Sequence, residues 1–316
     1  MKRLSSLLLL AVLCQFVAVT LLAQSIPSKY LTYDEMTRAI KDLSAAHKDI
    51  VSIESIGKTL RGRDIWAIAL RKGDPNQNRA MLVVGGVEAQ QLAGSEMVLQ
   101  FAEHIVNNYE KTDSLRRVLE TTTIYLLPRV SPDAMEAYFE KPQRERTTNY
   151  RPTDDDRDGR VDEDDVEDLN NDGVITMMRV KDPRGDWMPH QEDARVMKKA
   201  DPAKGERGQY LLYTEGIDND KDERWNEDGA GGVDFNRNFA YNYEYFAPNA
   251  GVYQLSEVES RAVADFVFSH DNICVVFSFS SNDNLMSPMK VELKTPASGE
   301  DRPRGFEGRG RDFEIS

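Results

Sequence analysis

Two stretches of this sequence gather side chains able to do chemistry, and a third gathers side chains able to hold cations. The first runs from Met81 to Glu96, where four apolar residues, Met81 to Val84, read as a buried strand broken by Gly85 and Gly86. Turns at the carboxyl ends of strands in α/β sheets are where such folds bind ligands. This turn offers a carboxylate, Glu88, and an amide, Gln91. The second runs from Gly231 to Phe239 and sets the amide of Asn236 beside the planar guanidinium of Arg237. That pair suits bidentate recognition of a carboxylate, and the asparagine is equally suited to tying down its own turn.

The third stretch, Thr153 to Asp228, is dominated by Asp, Glu, Asn, Gly, Arg and Lys and is too long for an ordinary loop. Three segments in it share one spacing. Asp154, Asp156 and Asp158 alternate ahead of Gly159, with Val161 as an apolar anchor and Asp165 at the twelfth place. Asp168, Asn170 and Asp172 repeat the pattern ahead of Gly173, with Ile175 as the anchor. Asp218, Asp220 and Asp222 repeat it with Glu223 in the glycine's place. A loop coiling round an ion points alternate side chains inward, and Ca²⁺ takes about 6–8 hard oxygens. The plainer reading is a solvated acidic loop. The repeated spacing predicts structural Ca²⁺, held by clips that lack a helix-loop-helix frame.

The elements that must position these residues alternate strand and helix. Thr32 to Glu35 forms a capping box ahead of a helix carrying Met36, Ile40 and Leu43 and ending near His47. Val51 to Ile56 and Ile65 to Leu70 read as strands joined by a glycine-punctuated hairpin. After the Gly85 turn, Gly94-Ser95-Glu96 opens a helix with Met97, Phe101, Ile105 and Val106 on its apolar positions. Thr121 to Val130 reads as a strand stopped by Pro132, and Ala134 to Phe139 as a short helix. Ser256 to Glu259 forms a second capping box, and Ile273 to Phe279 reads as a buried strand with Ser280 on the turn beyond it. This order predicts an α/β fold, a mixed sheet with helices on both faces.

Ahead of these elements, Lys2 and Arg3 precede an apolar run from Leu7 to Leu22 and a small residue, Ala23. That is the build of a signal peptide over residues 1–24, leaving a domain over 25–316 with an acidic insert over about 150–229. The mature protein is then secreted or periplasmic, with no membrane association. With 54 Asp and Glu against 40 Lys and Arg, a net charge of −14 argues against nucleic acid as a partner. Only Cys274 remains once the leader carrying Cys14 is removed, so disulfides do not staple the fold.

From about Tyr30 to Met286 the order of motifs resembles the zinc carboxypeptidase family. Ser55 to Trp66 looks like its first hairpin, and Pro128 to Asp133 like its Asn-Pro-Asp-Gly segment. Gly85 to Gln91 lies where the family carries Gly-Gly-x-His-x-x-Glu. Gly232 to Phe239 is close to Gly-Val-Asp-x-Asn-Arg-Asn-Phe, and Ser256 to Asn282 looks like the capped helix and the strand leading to the third zinc ligand.

The resemblance implies zinc held by two histidines and a glutamate, with a water in the open position. Carried across, those ligands become Glu88, Gln91 and Ser280. None of the four histidines, His47, His104, His190 and His270, lies where it would replace them. The resemblance also implies that Asn236 and Arg237 grip a peptide's C-terminal carboxylate, and that Arg179 stands where an arginine polarises the scissile carbonyl. The family's late general-base glutamate has no counterpart on a strand pattern, because Glu307 and Glu314 lie in a stretch rich in Pro and Gly. The expectation is therefore a C-terminally incomplete, exported, catalytically inactive relative that binds peptide C-termini. Its cofactor is Ca²⁺, with zinc not bound. The alternatives are an active zinc-dependent carboxypeptidase with a non-standard metal site, and a non-functional fragment of a longer peptidase.

Overall fold

A computed structural model describes residues 29–72, 78–154, 159–219, 221, 225–226, 229 and 231–281. In chain order these form α1 (Tyr33–Ala46), β1 (Val51–Lys58), β2 (Asp64–Leu70), β3 (Arg79–Val84), α2 (Leu92–Asn108), α3 (Asp113–Thr121), β4 (Thr122–Leu127) and α4 (Pro132–Glu136). There follow β5 (Met177–Lys181), β6 (Trp187–Pro189), β7 (Met197–Lys199), β8 (Tyr210–Thr214), a 3₁₀ turn (Phe235–Asn238), α5 (Val258–Ser269) and β9 (Ile273–Ser278). One unit of the chain runs to Ser280, and the rest lies, but for Ser281, outside the described residues. The expected leader, residues 1–24, lies outside them too.

The main sheet has the order β1-β2-β4-β3-β9. β1, β2 and β4 pair antiparallel, whereas β4, β3 and β9 run parallel, so the sheet is mixed. Side chains alternate between the faces of a strand, and that sorts the core into two layers. Ile68, Leu70, Val83, Ile124 and Leu126 pack with Met36 and Ile40 of α1, Val98, Leu99 and Ala102 of α2, and Leu119 of α3. Ala67, Ala69, Leu82, Val84, Tyr125 and Leu127 face the other way, against Val263 and Phe266 of α5 and Phe235 of the 3₁₀ turn. Helices thus cover both faces, as the alternation of elements predicts. Fully burying one such aliphatic or aromatic side chain is worth about 1.5–3 kcal/mol.

Local chemistry explains where the boundaries fall. The first capping box is present: Thr32 accepts from the Glu35 amide while the Glu35 carboxylate takes the Thr32 amide. The second is not. α5 starts at Val258 with Glu257 as an uncapped N-cap residue. The Glu257 amide donates instead to Asn238 Oδ1 at 3.1 Å, and the Ser256 hydroxyl to the Glu257 carboxylate at 2.7 Å. The helix expected from Gly94 opens earlier, at Leu92, and the residues just ahead of β4 form a further charged helix, α3, with Leu115, Val118 and Leu119 recurring at helical spacing.

Two larger differences concern the insert and the last strand. Instead of loops alone, the insert folds part of itself into a second, antiparallel sheet of order β5-β8-β6-β7. Its residues are half-buried or exposed, so alternation is weak in the sequence. β9 was expected to be buried, yet Val275, Val276 and Phe277 are 43%, 56% and 42% exposed. The strand ends the sheet order, with β3 as its neighbour among the described residues.

A buried ionic knot fastens the start of the domain to the main sheet. Arg129, after β4, donates through Nε to Ser95 Oγ at 3.1 Å and through Nη2 to the Leu31 carbonyl at 2.9 Å. Glu96 and Glu136 lie 3.5 and 3.7 Å from the guanidinium. Glu96 accepts from the Leu31 amide, and Glu136 from the Tyr33 amide.

Candidate functional site

The site grows from the Gly85–Gln91 turn. A Cβ on Gly85 would lie 2.6 Å from the Gly94 carbonyl oxygen and 2.7 Å from that of Pro128, so no larger residue fits. Gly86 has φ +71°, in the left-handed region that glycine adopts at no steric cost. The Gly85 amide donates to Leu127 O at 2.8 Å, and its carbonyl accepts from the Val130 amide at 3.2 Å. The turn then closes through the Gln91 amide on Glu88 O at 2.9 Å. Ala89 and Leu92 are pinned against Ala134 and Met135 of α4. Glu88 is thereby held half-buried and Gln91 exposed.

Because β3 and β9 are parallel, their carboxyl ends lie together. Ser278 pairs with Val84, and the Phe279 amide donates to Val84 O at 2.9 Å. Ser280 therefore leaves the sheet at the same end as the Glu88 turn. The 3₁₀ turn joins them there, since Val87 and Phe235 share one core cluster. Burial pushes the Asp234 carboxyl above its ordinary value, the amides of Asn236 and Arg237 and the Arg237 charge pull it down, and the Glu88 charge pushes it further up. Glu88, Ser280 and the Asn236-Arg237 pair are thus brought to one end of the sheet.

Asp234 shapes this turn by accepting from the Asn236 amide at 2.8 Å. Asn236 and Arg237 are exposed, with Arg237 Nη1 donating to Pro248 O at 3.1 Å. The residue that ties the turn down is Asn238, which is fully buried. Its amide donates to Ala250 O, Tyr253 O and Ser256 Oγ, and its Oδ1 accepts from Glu257 N and Ser260 Oγ. Arg179 is elsewhere in the architecture. It sits in β5, donates to Ala194 O at 2.8 Å and lies over the Tyr210 ring.

In the insert, several acidic residues order loops by accepting backbone amides. Asp154 accepts from Gly159 at 3.1 Å, and Asp168 from Gly173 at 2.7 Å. Asn170 accepts from the Asp172 amide, Asp172 from Val174, and Asp218 from Lys221. Asp165 is engaged by Arg144 at 2.9 and 3.1 Å. Asp156, Asp158, Asp220 and Asp222 lie outside the described residues. Composition hides two further acceptors among so many carboxylates. Asp164, fully buried, takes the amides of Asn219 and Asn226, and Glu215 takes those of Leu169, Asn170 and Thr176.

At the positions that the resemblance assigns to zinc, Glu88, Gln91 and Ser280, the donors are a carboxylate, a neutral amide and a hydroxyl. Zinc prefers imidazole nitrogen, thiolate and carboxylate, so this set does not fit it. The histidines do not repair the set. His47 is the C-cap of α1 and His270 that of α5, the latter ring lying 4.2 Å from Phe266 and 4.8 Å from Tyr125. Among the described residues, no group of three or more His, Cys, Asp and Glu is arranged to hold a metal ion.

Comparison with known proteins places this geometry. Carboxypeptidase SOL1 of Arabidopsis thaliana is 29% identical over 106 residues, 33% of this chain and 22% of that protein. Carboxypeptidase M of Mus musculus is 26% identical over 132 residues, 39% of this chain and 29% of that protein. The matched segments thus span less than a third of either curated relative. The carboxypeptidase A structure from Helicoverpa armigera aligns with a TM-score of 0.50 at 15% identity, covering 81% of this chain and 47% of that one, which is a likeness of fold alone. Residues 36–301, most of the sequence, match the zinc carboxypeptidase family, and the chain belongs to that family.

Proposed function

We propose that this protein is an exported, catalytically inactive member of its family that binds the C-terminal carboxylate of peptides through Asn236 and Arg237. The observation that carries the reading is the set Glu88, Gln91 and Ser280 at the carboxyl ends of β3 and β9. Without a zinc site there is no Lewis acid for the scissile carbonyl, and no group that lowers the pKa of a water to about 7. The carboxylate-binding side is still furnished: Arg237 is exposed, on a turn held rigid by Asp234 and Asn238. A bidentate, charge-assisted contact is the strong kind of hydrogen bond. Calorimetric titration with a peptide as free acid and as amide tests this. The acid is expected to bind at least about ten-fold tighter, and Arg237→Gln to erase the difference, since hydrogen bonds to charged groups are worth about 1.5–3 kcal/mol. Equal affinity for acid and amide would sink the reading.

The same proposal assigns Ca²⁺ to the insert. Two loops repeat one contact, the glycine amide on the first aspartate, and Asp154 Oδ1 is buried with no hydrogen-bond partner among the described residues. An ion that binds only the folded state stabilises it by about 2.7 kcal/mol when present at 100 times its Kd. Ca²⁺ is expected to raise the melting temperature and EGTA to reverse the rise, with Asp168→Ala blunting the response. A melting curve indifferent to both reagents would show the acidic segments to be solvated loops.

A further inference from the structure

Three carboxyls are buried around the start of α5: Glu257 and Glu259, 4% and 3% exposed, and Asp133 of α4, which is wholly enclosed. Two of them have a cation. Arg151 Nη1 donates to Glu257 Oε1 at 2.8 Å, and Arg63 Nη1 to Asp133 Oδ1 at 2.9 Å. Glu259 has none among the described residues. Its Oε2 shares the Asn149 side-chain amide with Glu257 Oε2, at 3.2 and 2.9 Å, and its Oε1 is buried with no hydrogen-bond partner among the described residues. The charged groups of the elements packed on α5 do not supply a counter-ion. On β1, Glu54 is exposed and Lys58 pairs with Asp64, while in the 3₁₀ turn Asp234 accepts from the Asn236 amide and Arg237 reaches Pro248 O. A buried charge without a partner is strongly unfavourable, so the seated helix holds Glu259 as the neutral acid. Burial pushes its carboxyl above the ordinary 4.5, its own backbone amide and the Asn149 amide pull it down, and the Asp133 and Glu257 charges push it further up.

The start of α5 holds the 3₁₀ turn from both sides. Ahead of the turn, Asn149 exchanges both backbone contacts with Val233: its amide donates to Val233 O at 3.0 Å, and its Oδ1 accepts from the Val233 amide at 2.9 Å. At the far end, Asn238 Oδ1 accepts from the Glu257 amide at 3.1 Å and from Ser260 Oγ at 2.5 Å. Asn236 and Arg237 lie between these two junctions. We propose that Glu259 is a proton-operated latch on the turn that presents them: as the acid it lets the helix start sit on Asn149 and Asn238, and as the carboxylate it drives the helix start off both. On ionisation the proton passes to water, and three buried negative charges then face two arginines. Opening the junction to solvent relieves that imbalance. A carboxyl whose folded value lies above its unfolded one favours the folded state below the unfolded value and loses that contribution as pH rises through the folded value, so the opening window extends upward from 4.5. Its effect on a ligand rests on the carboxylate-binding reading: a peptide C-terminus is held in mildly acidic surroundings and released as pH rises.

The test uses the full chain and a decapeptide without ionisable side chains, made as free acid and as amide. Both are titrated calorimetrically at pH 5.5 and pH 8, and amide hydrogen exchange of the free chain is followed at the same two values. The wild type is expected to bind the acid about ten-fold more weakly at pH 8, and to lose a similar factor of protection at the Val233 and Glu257 amides once intrinsic rates are divided out. Glu259→Gln, the neutral isostere, should keep the pH 5.5 values at both. The histidines and the peptide carboxylate are common to the two proteins, so a difference in slope belongs to Glu259. Wild-type protection that does not change with pH would overturn the latch, even if Glu259→Gln failed to fold. Acid bound tighter than amide, with one pH profile for both proteins, would overturn the latch and leave the carboxylate reading standing. A pH-dependent exchange that Glu259→Gln abolishes, with acid and amide bound alike, would confirm the latch and overturn the carboxylate reading.

Discussion

Asn238→Ala is expected to cost about 3–5 kcal/mol of stability, whereas Asn236→Ala, two residues away, should change it by no more than about 0.5 kcal/mol. The Asn238 side chain is fully buried and satisfies the Ala250 and Tyr253 carbonyls, Ser256 Oγ, the Glu257 amide and Ser260 Oγ. Tyr253 O, Ser256 Oγ and Ser260 Oγ each keep another partner, but alanine takes from the Glu257 amide and the Ala250 carbonyl the side chain that pairs them in a dry site, where each orphaned group costs about 1–3 kcal/mol. Asn236 is exposed, and its backbone amide already has Asp234 as a partner. Urea unfolding of the two variants compares them directly. Equal effects would mean that the turn is not held from Asn238, and the exposed pair would lose its claim to be free for a ligand.

Arg129→Met is the second large effect, also about 3–5 kcal/mol, because removing one partner of a buried ion pair leaves the other charges uncompensated. The guanidinium is buried between Glu96 and Glu136, whose side chains are 5% and 14% exposed. Burial pushes both carboxyls above the ordinary 4.5, and the Arg129 charge pulls them partly back. A carboxyl whose folded value lies above its unfolded one favours the folded state fully below the unfolded value, and loses that contribution as pH rises through the folded value. Taking away Arg129 raises the folded values further and widens the window upward from 4.5. The variant's deficit should therefore be larger at pH 7 than at pH 5, and adding Glu96→Gln should recover part of it at pH 7. A deficit independent of pH would mean that lost packing, and not charge, explains the effect.

These two residues mark what the sequence makes legible and what it hides. Gly85 and Gly86 stand out because backbone geometry there excludes other residues, and the string from Gly232 to Phe239 because it shapes a turn. Asn238 lies inside that same string, yet its role depends on carbonyls and hydroxyls 12 to 22 positions away, which no local spacing reveals. Arg129 interrupts an apolar strand end, and only the fold brings Ser95, Glu96 and Glu136 to it. The layers of the main sheet follow from alternation, since Val83 and its neighbours Leu82 and Val84 fall on opposite faces. An apolar run such as Ile273 to Ser278 reads the same in the middle of a sheet or at its margin, so the exposure of β9 is not visible in it. The insert's sheet escapes notice because its strands are half-exposed and bear no clear period.

Turnover is the most direct measurement of the central claim. The purified chain, supplied with zinc in stoichiometric amount, is incubated with a free-acid peptide that it binds, and released C-terminal amino acid is quantified by mass spectrometry. No release above a protein-free control, alongside binding that Arg237→Gln weakens, is the predicted result. Release that grows with added zinc, stops on chelation and falls when Glu88 or Gln91 is changed would contradict it, and would make this chain a working metallopeptidase with an unfamiliar set of ligands.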